Sequence, residues 1–158
     1  MTDGIPPAEP ELPSLLHVGI VVSDLEAAAS DFERRWGSRL NDIADITLQD
    51  SLYHGRPATV RFRRGLLRAG DSHIELTEPV SDSFFSDFLK LRKGDGVHHL
   101  AYVVDDIDVY LERLKPTCSE LVLDARLPGG GSRVVYIDGF AHGPTVELLQ
   151  RAGSGADD

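Results

Sequence analysis

Apolar residues along this chain fall into short strand-like runs separated by glycine, proline and charged turns, and one pattern is written twice. LHVGIVV (16–22) and HHLAYVV (98–104) are rich in β-branched residues, and each passes directly into a helix-start signal. Ser23, with Glu26 three residues on, has the form of a capping box, and Asp105 or Asp106 can cap the second helix. EAAASDFERRW (26–36) is rich in helix formers and stops before Gly37, while IDVYLERLK (107–115) stops before Pro116. His17, Val21, Val22, Asp24 and Leu25 recur as His99, Val103, Val104, Asp106 and Ile107, 82 positions later. The pattern predicts an internal duplication.

Further strands follow each helix. ADITL (44–48), ATVRFRR (58–64) and DSHIELTEP (71–79) complete the first copy, with turns at His54-Gly55 and Ala69-Gly70-Asp71. ELVLDAR (120–126), RVVYID (133–138) and TVELLQ (145–150) complete the second, with Pro128-Gly129-Gly130-Gly131 as a loop able to close over a ligand. The expected fold is α+β: two tandem βαβββ modules forming a curved mixed sheet around a central cleft. One domain is expected over 14–151, with module one at 14–79, a linker with a short amphipathic helix at 80–96, and module two at 97–151. Residues 1–13 and 152–158 have the composition of flexible ends.

Composition narrows the class. The chain is 41% hydrophobic and 27% charged, ordinary for a folded globular protein, and its formal charge of −10 opposes nucleic acid or anionic membrane as the main partner. Cys118 is the only cysteine, so neither an intrachain disulfide nor a thiolate zinc cluster can form. No signal peptide or membrane-length apolar run is visible, so a cytoplasmic location is expected.

Four residues occupy matching places: His17 and His99 in the first strands, Glu75 and Glu147 in the last. Strand alternation puts His17 on a face with Gly19 and Val21, and His99 on a face with Ala101 and Val103. A carboxylate in a mostly buried strand needs a cation, a proton or several donors. Two carboxylates with two neutral imidazoles suit one divalent metal, with Co, Ni, Zn, Mn and Fe all compatible. Alternation turns His98 away from His99, and His73 and His142 read as surface residues. Arg56, Arg61, Arg63, Arg64 and Arg68 form a basic stretch in an acidic protein. Arg61 and Arg63 share a face and are the candidate substrate-binding pair, since guanidinium forks suit carboxylate or phosphate; Arg64 points away. Trp36, Phe32, Phe84, Phe85 and Phe88 are expected to pack in the core or an interface.

LHVGIVVSDLEAAASDFERRWG, GDGVHHLAYVVDDID and VELLQ resemble the paired motifs and closing ligand strand of the vicinal oxygen chelate superfamily, over about 15–150. The resemblance implies a metal held by His17, Glu75, His99 and Glu147. Within the superfamily, KLRKGDGVHHLAYVVDDID after ELTEP is most similar to methylmalonyl-CoA epimerases. That implies proton transfer next to a thioester carbonyl through a metal-stabilised enolate, a CoA thioester as small-molecule partner, and a homodimer. Two departures stand out. Glu75 occupies a place where those epimerases commonly carry Gln, and a Glu there leans toward a glyoxalase-I-like lactoylglutathione lyase, the alternative activity. Tyr53 precedes His54-Gly55, where they usually place an acid/base Glu. Glu147 and Tyr53 are the acid/base candidates. A non-catalytic binding or resistance protein of the same fold is the remaining alternative, and such proteins usually lose the metal ligands.

Overall fold

A computed structural model describes residues 12–117, 119–138 and 143–153. The first module comprises β1 (Leu15–Val21), α1 (Leu25–Trp36), β2 (Asn41–Tyr53), β3 (Arg56–Ala69) and β4 (Ser72–Pro79). Helix α2 (Phe84–Arg92) connects it to β5 (Gly96–Val104), α3 (Ile107–Leu114), β6 (Glu120–Arg126), β7 (Arg133–Asp138) and β8 (Thr145–Gln150). Both modules are therefore βαβββ. Cys118, His142 and most of the two chain ends lie outside the described residues.

Local chemistry explains the boundaries. Asp24, rather than Ser23, caps α1 by accepting the Ala27 N–H at 2.8 Å, and Asp106 caps α3 by accepting from Asp108. Gly37 closes α1 in the left-handed conformation, φ 67°. β2 and β3 run longer than the apolar segments predict because they form one hairpin around His54-Gly55. Both turn residues have positive φ, 47° and 73°, matching the twist of a two-residue hairpin loop.

The eight strands close into a barrel in the order β1-β4-β3-β2-β6-β7-β8-β5. The curved sheet expected from the sequence thus joins its own ends, with β2 meeting β6 at Leu52 and Tyr53. Antiparallel pairing of β1 with β5 and of β2 with β6 joins the modules. Outside the barrel, α1 lays Leu25, Ala28 and Phe32 over Leu67 and Leu76, and α3 lays Ile107, Tyr110 and Leu111 over Val135, Ile137 and Leu148. Helix α2 brings Phe84 and Phe85 into a third cluster with Leu48, Phe62 and Tyr136. Trp36, expected to be packed, is 76% exposed at the end of α1. Among the described residues no helix is long and apolar enough to cross a membrane.

Candidate metal centre

The four strands carrying the matched histidines and glutamates are neighbours, in the order β4-β1-β5-β8. Their register builds two parallel rows on the inner face. One row reads Glu75, Gly19, His99; the other reads His17, Ala101, Glu147. Duplication makes the rows correspond position by position, His17 to His99 and Gly19 to Ala101. Each row places a residue with little or no side chain between its imidazole and its carboxylate, and at Gly19 the His99 ring takes up the space.

The side chains converge on one point. His17 Nε2 lies 3.0 Å from His99 Nε2, and Glu147 Oε2 lies 3.3 Å from the first and 3.1 Å from the second. Glu75 Oε1 is 3.9 Å from both imidazole nitrogens. All four residues are buried, His99 completely. Glu75 is also held by the protein, with Thr77 Oγ1 donating to its Oε1 at 3.0 Å and Arg64 to its Oε2 at 3.4 Å. Glu147 Oε2 is buried with the two imidazole nitrogens as its near polar neighbours, neither aligned as a regular hydrogen-bond donor to it.

This arrangement fits a divalent ion. Three electron-pair donors face one another at 3.0–3.3 Å, and no more than one proton can sit between any two of them. Adjacent ligands about 2.1 Å from a first-row ion stand roughly 3.0–3.4 Å apart, so the observed triangle needs little change to accept one. His17, His99 and Glu147 would hold the ion, with Glu75 Oε1, 3.9 Å from both imidazoles and bonded by Thr77, as the next donor within reach.

Electrostatics support the same picture. Burial alone would raise the Glu147 carboxyl, but the two imidazoles outweigh it and hold Glu147 well below the ordinary carboxylate range. Burial alone would lower His17, but Glu147 and Glu75 outweigh it and raise His17 above its usual value. Tyr136, cross-strand partner of Glu147, is pushed well above the ordinary phenol range by burial and by the charges of Glu147 and Glu75, so it stays protonated.

Three expectations are corrected here. Tyr53 does not reach the cluster: it ends β2 at a separate cavity of about 580 Å³, with its hydroxyl donating to Asp87 at 3.4 Å. Burial and Asp87 raise its pKa further, so even less of it is in the phenolate form that could act as a base. Arg61 and Arg63 face outward. The Arg61 side chain is exposed, and Arg63 pairs with Glu26 at 2.7 Å and Asp45 at 3.4 Å. It is Arg64 that shares the inner face with Phe62 and Leu66 and lines the cavity of about 300 Å³ above the cluster. Finally, His98 does not point away from His99. The β1–β5 register slips between Gly19 and Ile20, so that Gly19 faces His99 but Ile20 faces Val97. This bulge breaks the alternation, and both side chains are buried with Nδ1 atoms 3.0 Å apart. Burial and the neighbouring His99 push His98 down to about 3, so it is neutral. His73 is half-buried at the cavity wall.

Arg64 and Tyr136 were the residues the sequence reading missed. The alternation Phe62-Arg64-Leu66 carries the signal for Arg64, and that of Val134-Tyr136 carries it for Tyr136. The remaining cavity wall is apolar, formed by Ile46, Leu48, Leu127, Pro128, Val134 and Leu149.

The sequence profile of the Glyoxalase/Bleomycin resistance protein/Dioxygenase superfamily matches residues 16–136. An ethylmalonyl-CoA/methylmalonyl-CoA epimerase of Cereibacter sphaeroides is 33% identical over 136 residues, which cover 85% of this chain and 86% of that one. The mitochondrial methylmalonyl-CoA epimerase of Mus musculus is 29% identical over 144 residues, 90% of this chain and 75% of its own. Among solved structures, methylmalonyl-CoA epimerase from Mycobacterium tuberculosis superposes with a TM-score of 0.63 at 28% identity, covering 87% of each chain.

Proposed function

From the premise that the chain belongs to the Glyoxalase/Bleomycin resistance protein/Dioxygenase superfamily, we propose that it is a divalent-metal-dependent epimerase of a short carboxylated acyl thioester, of the methylmalonyl-CoA type. The observation that carries this reading is the convergence of His17 Nε2, His99 Nε2 and Glu147 Oε2 on one buried point. Similarity to epimerases that act on such thioesters supports the substrate class.

A divalent ion held there would supply Lewis-acid stabilisation of the charge that develops on a thioester oxygen as the adjacent C–H bond breaks. The chain's own residues do the rest. Glu147, kept ionised by its imidazoles, takes the proton from one face of the substrate carbon. Glu75, related to Glu147 by the duplication, stands on the other side, where a proton it takes up from solvent passes to the carbon while Glu147 releases to solvent the one it took, the second acid/base role that Tyr53 is too far displaced to fill. Neutral Tyr136 lies beside Glu147 as a protonated neighbour and holds the carboxylate in place.

The cavity selects the substrate. At about 300 Å³ it accommodates a short acyl unit and leaves a CoA-sized carrier outside. Its apolar wall suits an alkyl branch. Arg64 brings a positive charge, and its Nε is buried without a partner. With two neutral imidazoles, two carboxylates, Arg64 and a divalent ion, the site carries one net positive charge, which one substrate carboxylate neutralises.

Metal-loaded protein is expected to exchange solvent deuterium into the α-position of methylmalonyl-CoA, read by mass spectrometry. Exchange no faster than that of a Glu147→Ala control refutes the reading. Glu75 in the ligand set also supports a lyase acting on a thiol hemithioacetal, and turnover of methylglyoxal with glutathione would select that reaction instead.

A further inference from the structure

The bulge in β5 suggests why two consecutive histidines turn to the same side. For His99 to present a lone pair at Nε2, where His17 and Glu147 converge, its ring proton must sit on Nδ1. Unless that Nδ1–H meets an acceptor, a buried donor is lost and the tautomer is left unset. The atom facing it, 3.0 Å away, is Nδ1 of His98.

We infer that His98 is a positioning residue for the metal centre: its Nδ1 accepts the proton of His99 Nδ1, fixing the tautomer and orientation in which His99 offers Nε2 to the ion. This rests on the metal reading above. The surroundings of His98 leave His99 as its close hydrogen-bonding neighbour. Its ring is wrapped by Phe84, Phe85 and Phe88 at centroid distances of 5.0–5.3 Å, none of which offers a competing hydrogen bond. The charged and titratable groups near it are His99, Glu147, Tyr136 and, across the larger cavity, Tyr53, His54, Asp87 and Asp138. Accepting at Nδ1 places the proton of His98 on Nε2. His98 also lines the cavity of about 580 Å³ that holds Tyr53 and Asp87, so the ring links the ion's site to that second chamber. The backbone of Gly19 lies against the Cε1 edge of the His99 ring, between its two nitrogens, so the ring is held by a bare backbone as well as by a hydrogen-bond acceptor.

The test uses the full chain with zinc, a diamagnetic ion, and compares native protein with His98→Leu, His98→Asn and His98→Gln. Asparagine places an amide oxygen near the position of Nδ1; glutamine extends beyond it. Zinc affinity is read by chelator competition, ring tautomers by long-range ¹H–¹⁵N NMR, and folding of the metal-free variants by thermal melting. His98→Leu is expected to weaken zinc binding about 10–100-fold, the usual cost of losing a partner of a ligating histidine. His98→Asn is expected to bind as the native protein does, and native spectra to show His99 protonated at Nδ1 and His98 at Nε2. If His98→Leu does not fold, the contrast between Asn and Gln carries the same comparison. Native zinc binding that His98→Leu leaves unchanged, or that His98→Asn weakens as much as Leu or Gln does, overturns this inference alone. A native protein that binds no divalent ion overturns the metal reading and this inference with it.

Discussion

Gly19 lies directly opposite His99 across the β1–β5 pairing, and a methyl group built on Gly19 would fall 2.0 Å from His99 Cε1. The His99 ring occupies the space a side chain would take. Gly19→Ala therefore forces His99 out of the cluster or the two strands apart. We expect about 1–3 kcal/mol of destabilisation, typical of overpacking, with loss of tight metal binding. Thermal melting and metal titration check both. Ala101, at the equivalent place in the second module, already carries a methyl group, so the two rows are not interchangeable.

Arg64, and not Arg61 or Arg63, is expected to govern substrate affinity. Charge-assisted hydrogen bonds contribute about 1.5–3 kcal/mol, so Arg64→Leu should raise KM for a carboxylated thioester tenfold or more. Arg61→Leu and Arg63→Leu should leave it unchanged, since Arg63 is engaged by Glu26 and Asp45 on the outside. Steady-state kinetics with the three variants separates them. A KM effect from Arg61→Leu equal to that from Arg64→Leu would contradict the orientation of β3.

Metal affinity should fall with acid, starting from a higher pH than an ordinary imidazole dictates. In the metal-free protein Glu147 and Glu75 raise His17 above 6.5. A cation must displace that proton, because only the neutral ring has a lone pair to give. Below the raised value binding therefore releases about one proton from His17 and weakens as pH drops; above it the release vanishes. Titration calorimetry in buffers of different ionisation enthalpy measures the released proton directly.

Much of this centre was legible in the sequence. The duplication identified His17, His99, Glu75 and Glu147, and the register brings all four to one point. What misled the reading was local backbone irregularity. Alternation is reliable only within an unbroken strand, and the bulge between Gly19 and Ile20 reversed the side on which His98 was expected. The arginine stretch was ambiguous for a related reason. Arg61 and Arg63 differ from Arg64 by a single register step, and only the burial of Phe62 on the inner face tells which belongs inside. Tyr53 failed as an acid/base candidate because the hairpin ending at His54-Gly55 runs past the cluster and delivers its tip to α2 and the other cavity.

Tyr136→Phe separates support of Glu147 from direct chemistry. Removing the hydroxyl leaves the ring packed against His99, centroids 5.3 Å apart, so folding should be preserved. With Tyr136 supporting Glu147, kcat should fall while KM and metal content stay near native values. Loss of metal would instead assign the tyrosine to holding the ion's site together.

Cobalt K-edge X-ray absorption of the loaded protein tests the central claim most directly: one divalent ion bound by two imidazoles and carboxylate oxygens at this point. The spectrum should show two imidazole scattering shells with nitrogen and oxygen donors at about 2.0–2.2 Å, and one imidazole should vanish in His99→Ala. A spectrum lacking imidazole scattering, or one that His17→Ala and His99→Ala leave unchanged, would contradict it.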